Sequence, residues 1–297
     1  MKKYELLLDD YIEYKGVTLY RIKALKDFGD IQAGDLGGYI EKEDNLSHEE
    51  DCWIYDEAKV FDNAIVHGNA TIHNNAKIHG NVEINGNATI HNNVRIYGDA
   101  RIHDNATILG DAKIYDNAKV YENAIVLENA KIYDNVKVYG TAKICGYSKV
   151  YNDAEVYGNA KVYSNTRIYD NAKIFGDVYI YGNAFVCGNA EVYGNAEIYG
   201  NANVCGNANI YGKTLIYGNA EIFGNVEIQE GNIIGNISMP FKDLFQHQCK
   251  NRLLTAILTK DDEILYTIGC QDNITEKEFI DKIYNDDGGL EKNPHRE

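Results

Sequence analysis

Proline is almost missing from this chain: two residues in 297, both beyond position 239. A backbone that keeps nearly every N–H can be hydrogen-bonded along its whole length. No run approaches eighteen apolar residues, so no membrane-spanning helix is expected. The N-terminal MKKYELLLDDYIEYKG has no apolar segment long enough for a signal peptide, because Asp9 and Asp10 interrupt it; a soluble, cytoplasmic protein without a membrane partner is expected. The six cysteines form no C-x-x-C pair, which argues against a zinc knuckle or a disulfide framework and reads as reduced thiols. Basic residues are outnumbered 29 to 45, for a formal charge of −16, which argues against a uniformly nucleic-acid-coated surface. Ser-His-Asp arrangements, P-loops and dinucleotide fingerprints are absent, and no cofactor is expected.

What is present is a repeat, plain in VYGNAEIYGNANVCGNANIYG (Val192 to Gly212). Every sixth residue from Ile54 to Ile234 is Ile or Val, 31 positions without an insertion. A small or β-branched residue, usually Ala, follows four places later, and pairs such as Gly-Asn or Asp-Asn stand two and three places later. A period of six fits no α-helix. It fits a short strand and a corner: Ala196 and Ile198 point one way, Glu197 and Tyr199 the other, and Gly200-Asn201 turns the chain. Three strands and three corners make a triangular coil of eighteen residues, and coils stacked about 4.8 Å apart make a rod of about ten coils. Asn occupies the third place after the aliphatic in 21 of 30 repeats, which predicts stacked amide ladders.

These hexads resemble those of left-handed parallel β-helix proteins, a family dominated by trimeric acyltransferases, although Gly falls one place later here than in the usual signature. The resemblance implies left-handed winding; the period alone allows either hand. Leu19 to His48 departs from the hexad, with Ile40 and Leu46 six apart and then a shift of two to reach Ile54. That segment, followed by CWIYDEAKV, resembles the N-terminus of the YdcK-type hexapeptide-repeat proteins of bacteria and prophages, often labelled transferases. The segment from Arg252 resembles a C-terminal module of phage-associated proteins. It reads as a hairpin turned at Asp261-Asp262, then a helix capped by Thr275 with Glu278 completing a capping box, while Pro240 closes the repeats. The expected fold is all-β: an N-terminal β cap and irregular first coil (1–53), a hexapeptide-repeat β-helix (54–239) and a small α+β module (240–297).

Residues eighteen apart should stack, so the outward positions form columns. One holds Phe61, His79, Tyr97, Tyr115, Tyr133, Tyr151 and Tyr169, and beside it run Lys59, Lys77, Arg95, Lys113, Lys131, Lys149 and Arg167. Cations beside aromatics could follow a nucleic-acid strand, with phosphates on Lys/Arg and bases on Tyr. The plainer reading is a solvated face on which Tyr and Lys suit exposed strands, neutralised by turn acids such as Asp104, Asp116 and Asp134: residues 54 to 173 carry 13 basic and 14 acidic groups. His73 and His91 stack as weak candidate metal ligands, short of the three a catalytic zinc needs, so no metal is expected. Cys187 and Cys205 also stack, and read as outward packing.

Acyltransferases of this fold usually interrupt their coils with loops carrying a catalytic His; here the hexad leaves no room for one, and the transferase label transfers a fold without a site. The expectation is a non-catalytic rigid binding protein whose partner is another protein. A narrower version is a prophage product inhibiting a host factor such as a nucleic-acid-guided defence enzyme. An acyltransferase-type enzyme and nucleic-acid binding along the Lys/Arg-Tyr column stay open as alternatives, and a homodimer or homotrimer is allowed.

Overall fold

The computed structural model describes residues 2–234, 238–240, 243–249, 252–258, 264–268, 271–275 and 277–278. The chain divides into two compact units, Met1–Gly176 and Asp177–Glu297.

The first unit opens with β1 (Tyr4–Tyr14), β2 (Val17–Ala24) and β3 (Leu36–Ile40). β1 and β2 pair antiparallel, as do β2 and β3. The β1–β2 turn consists of Lys15 and Gly16, both with left-handed backbone (φ 52° and 82°), the geometry that suits the twist of a two-residue hairpin. β3 then changes role and runs parallel to the first coil, Ile40 opposite Val60, while Leu46 bridges Val66. Both partners lie twenty residues on, so the shift of two between Leu46 and Ile54 is an enlarged first coil. Gly38 makes the approach feasible, because a Cβ there would fall 2.5 Å from the carbonyl oxygen of Ala58.

Beyond Ile54 the coils are regular. Two-residue strands such as Lys113–Ile114, Lys131–Ile132 and Lys149–Val150 pair parallel and in register, each residue against the one eighteen later. This is a parallel β-helix. The aliphatic of each hexad from Ile54 to Ile228 and the Ala four places on are buried, which is why both positions tolerate so little variety. Where Ser148 or Thr166 takes the Ala place, its hydroxyl donates to the carbonyl three residues back at 2.7 Å, so no polar group is left unpaired.

The corners carry the backbone strain. Asp104, Asp116, Glu122 and Glu128 hold φ between 55° and 60°, a region costly to side chains with a Cβ. Several of these acids recover part of that cost by accepting a backbone N–H one coil later: Glu122 from Gly140 and Glu128 from Gly146, both at 2.8 Å. The amide ladders are present, Asn69 donating to Asn87, Asn87 to Asn105 and Asn105 to Asn123 at 2.9–3.1 Å.

In the second unit the same coils hold through Ile210 opposite Ile228. The spacing then shortens to seventeen: Ile216 faces Ile233, and Ile222 faces Met239. The hexad reading set Ile234 eighteen residues above Ile216; the residue paired with Ile216 is instead Ile233, which is buried. The reason is local: between Ile228 and Glu230 the chain has one residue fewer than the coil below, and Gly231 stands opposite Thr214 in the small-residue place. Pro240 ends the last parallel strand, Ser238–Pro240. A four-stranded antiparallel sheet follows, formed by Asp243–Cys249, Arg252–Leu258, Ile264–Ile268 and Gln271–Thr275. Its two central strands pair antiparallel, and the turn expected at Asp261-Asp262 lies outside the described residues; the first and last strands carry no signal that was read from the sequence. The capping box forms, with Glu278 N–H donating to Thr275 Oγ1 (3.3 Å) and Thr275 N–H to Glu278 Oε2 (2.8 Å); the helix beyond 278 lies outside the described residues.

Candidate functional site

Parallel, in-register stacking converts an eighteen-residue period into columns on the surface of the first unit. The aromatic column is one continuous stack, with ring centroids 4.8 Å apart between Phe61 and His79, 5.4 Å on to Tyr97, and 4.8–5.1 Å through Tyr115, Tyr133, Tyr151 and Tyr169. From His79 onward the planes lie within 9° of parallel. Each interior ring therefore spends both faces on its neighbours, and only edges and phenols meet solvent. This departs from the idea of bases stacking on Tyr, because between His79 and Tyr151 no ring face is available to a base. Burial in the stack pushes the phenols of Tyr97, Tyr115, Tyr133 and Tyr151 up, so they are neutral hydrogen-bonding groups at physiological pH.

The cationic column lies beside it. Lys59, Lys77, Arg95, Lys113, Lys131, Lys149 and Arg167 sit directly opposite one another, rung by rung. Among the described residues, Lys77, Arg95, Lys113, Lys131 and Lys149 have no carboxylate within ion-pair distance. The adjacent face behaves differently: Lys137 meets Glu155 at 2.7 Å and Arg101 meets Glu83 at 3.9 Å. The turn acids expected to neutralise the column stay at their corners, where Asp104 and Asp134 accept backbone N–H groups of Glu122 and Asn152.

Other candidates resolve as follows. The rings of His73 and His91 lie face to face, 4.2 Å apart and 9° from parallel, so their in-plane lone pairs run side by side and do not converge on one ion. Burial lowers the pKa of both. Among the described residues no group of three His, Cys, Asp or Glu is placed to hold a metal. Cys187 and Cys205, in the second unit, are joined as a disulfide, with Cα atoms 4.5 Å apart. This corrects the reading of every cysteine as a reduced thiol: the rung spacing itself falls within the range a disulfide can close. Cys145 remains a thiol, pushed up to about 11 by burial, and is no activated nucleophile. His103 meets Asp104 at 3.1 Å and His67 meets Glu83 at 3.3 Å, both on the open coil surface.

Sequence reading missed one neighbourhood. The β1–β2 turn folds back over the column, so that Tyr14, Lys15, Lys77, His79, Arg95 and Tyr97 line a groove of about 290 Å3. The turn at Lys15-Gly16 was not read from the sequence, which gave only a β cap ahead of the repeats.

Comparison with known proteins follows the same lines. A family model described as the GMPPB C-terminal domain matches residues 60–153, a stretch made wholly of these eighteen-residue coils. The chain is a hexapeptide-repeat β-helix protein. It resembles the "Uncharacterized acetyltransferase YdcK" of Escherichia coli (strain K12), with 49% identity over 43 residues, 14% of this chain and 13% of that protein. The chain thus matches only a small part of the curated relative's length. In this hexapeptide-repeat protein no loop interrupts the coils between Ile54 and Ile174. No helix among the described residues is long and apolar enough to cross a membrane.

Proposed function

We propose that this hexapeptide-repeat protein is a non-catalytic binding protein whose Lys/Arg column docks an acidic surface of a protein partner. The observation that carries the reading is the in-register ladder from Lys77 to Lys149, unpaired with carboxylates among the described residues. Like charges directly opposite in a sheet destabilise it, so the ladder is costly to the fold and is repaid by a partner that neutralises it. A protein is favoured over a nucleic acid because the rings beside the ladder offer no stacking platform, on which single-strand binders depend. The column's phenols supply hydrogen bonds at the rim of such an interface.

A narrower form, a prophage product that blocks a nucleic-acid-guided host enzyme, rests on the resemblance of the two ends and on the acidity of residues 177–234, where six carboxylates face Lys213 alone. The competing reading is acyl transfer, which the name of the E. coli relative favours. One experiment separates them: affinity capture from host lysate with the wild type and with Lys113→Glu/Lys131→Glu, alongside an acetyl-donor turnover assay. A stoichiometric partner lost in the double variant supports binding. Donor turnover with no partner would overturn it.

A further inference from the structure

The β1–β2 turn gathers more positive charge than the fold needs. The ammonium groups of Lys15, Lys59 and Lys77 stand 5.8, 5.9 and 5.5 Å from the centroid of one ring, that of Tyr14. Arg95 and His79 complete the lining of the groove. Lys15 is exposed, at a left-handed turn position that Asn or Gly would fill with less strain, so neither packing nor backbone geometry selects a cation there.

The nearby carboxylates already have partners. Glu57 pairs with Arg21 at 3.0 Å, and Glu41 accepts the N–H of Asp62 at 2.7 Å. Asp62 accepts the N–H of Gly80 at 3.1 Å and lies 3.6 Å from His79 Nδ1. Lys59 donates to the Glu57 carbonyl at 2.8 Å. Lys15, Lys77 and Arg95 are left around the groove with no carboxylate within ion-pair distance among the described residues.

Shape and chemistry then select the ligand. Both faces of Tyr97 are covered, by His79 and by Tyr115, so a flat aromatic group finds no platform there. A groove of about 290 Å3 bounded by three unneutralised cations suits a compact anion with several oxygens and more than one charge. We propose that this groove binds a diphosphate group, its oxygens shared among Lys15, Lys77 and the planar guanidinium of Arg95. The surrounding field agrees. Burial lowers the pKa of His79 and Lys15 lowers it further, against the pull of Asp62; burial, Lys77 and Arg21 lower that of Lys59, against Glu57. The site shares Lys77 and Arg95 with the docking ladder, but Tyr14 and Lys15 lie outside it, so the Lys15 variant tests the groove separately from protein docking.

The test is calorimetric titration of the full chain with inorganic pyrophosphate at fixed ionic strength, with the His79 ring resonances followed by NMR. Lys15→Asn keeps a residue that tolerates the turn, Arg95→Gln removes the guanidinium, and Lys149→Gln is the control on the ladder. The expected result is one saturable site that shifts His79 and is weakened roughly tenfold by either groove variant while Lys149→Gln leaves it intact. ADP binding with adenosine silent would assign the diphosphate of a nucleotide, and pyrophosphate binding without ADP the free ion. Absence of saturable binding, or equal weakening by Lys149→Gln, would overturn the site in favour of a diffuse field.

Discussion

Tyr115 lies flat against Tyr133, ring centroids 4.8 Å apart and planes 1° from parallel, although eighteen residues separate them in the chain. The same register sets Lys113 opposite Lys131. One geometric fact thus produces both a favourable stack and an unfavourable charge ladder. The interior, not these columns, holds the coil: Ile132 is fully buried, whereas Tyr133 keeps an edge in water. Ile132→Ala should destabilise the first unit by about 2–5 kcal/mol, and Tyr133→Ser by about 1 kcal/mol. Denaturant titration followed by hydrogen exchange of the flanking coils would compare the two; equal losses would contradict a core-held coil.

Reversing one rung of the ladder should help the fold. Lys131→Glu places a carboxylate between Lys113 and Lys149 and should raise stability by about 0.2–1 kcal/mol at low salt, an effect that fades as salt is added. Thermal unfolding at two ionic strengths would measure it. A salt-independent loss of stability would mean that the cations are structural.

The disulfide closes a loop of eighteen residues between Cys187 and Cys205. Removing it with Cys187→Ser/Cys205→Ser, or by reduction, should cost the second unit about 3 kcal/mol. Thiol counting by mass spectrometry under non-reducing conditions should find this pair protected and Cys145 as a free thiol.

Acid should loosen the first coils. Burial holds His73, His79 and His91 below the ordinary histidine pKa, so the unfolded chain binds protons more readily than the folded one. The stability tied to these neutral rings is present above about pH 6.5 and is lost as pH falls through their depressed values. His73→Phe/His91→Phe keeps the stack and should flatten the decline between pH 7 and 5. Near-UV circular dichroism across that range would show it, and an unchanged slope would refute the assignment.

Much of this architecture was legible because the repeat exposes its own geometry. Ile or Val every sixth place, Ala four later and Gly-Asn at the corner specify strand, core and turn at once, and the two-residue shift between Leu46 and Ile54 announced the enlarged first coil. The register change after Ile228 was not legible, because Ile233-Ile234 offers two adjacent aliphatics and only strand pairing sets Ile233 opposite Ile216. The columns followed from the period, yet their chemistry did not. That the rings spend their faces on each other, that Lys137 finds Glu155 while Lys113 finds no carboxylate, and that Lys15 reaches over to Lys77 depend on side-chain directions and on how a hairpin folds back. A linear pattern does not encode those.

Binding of fluorescein-labelled poly-glutamate, followed by anisotropy at two salt concentrations with single-stranded DNA in parallel, tests the cation ladder most directly. The account predicts saturable poly-glutamate binding that weakens with salt and disappears in Lys113→Glu/Lys131→Glu while the circular dichroism of the variant stays native. Anisotropy that does not change on titration, or binding that survives both substitutions, would contradict it.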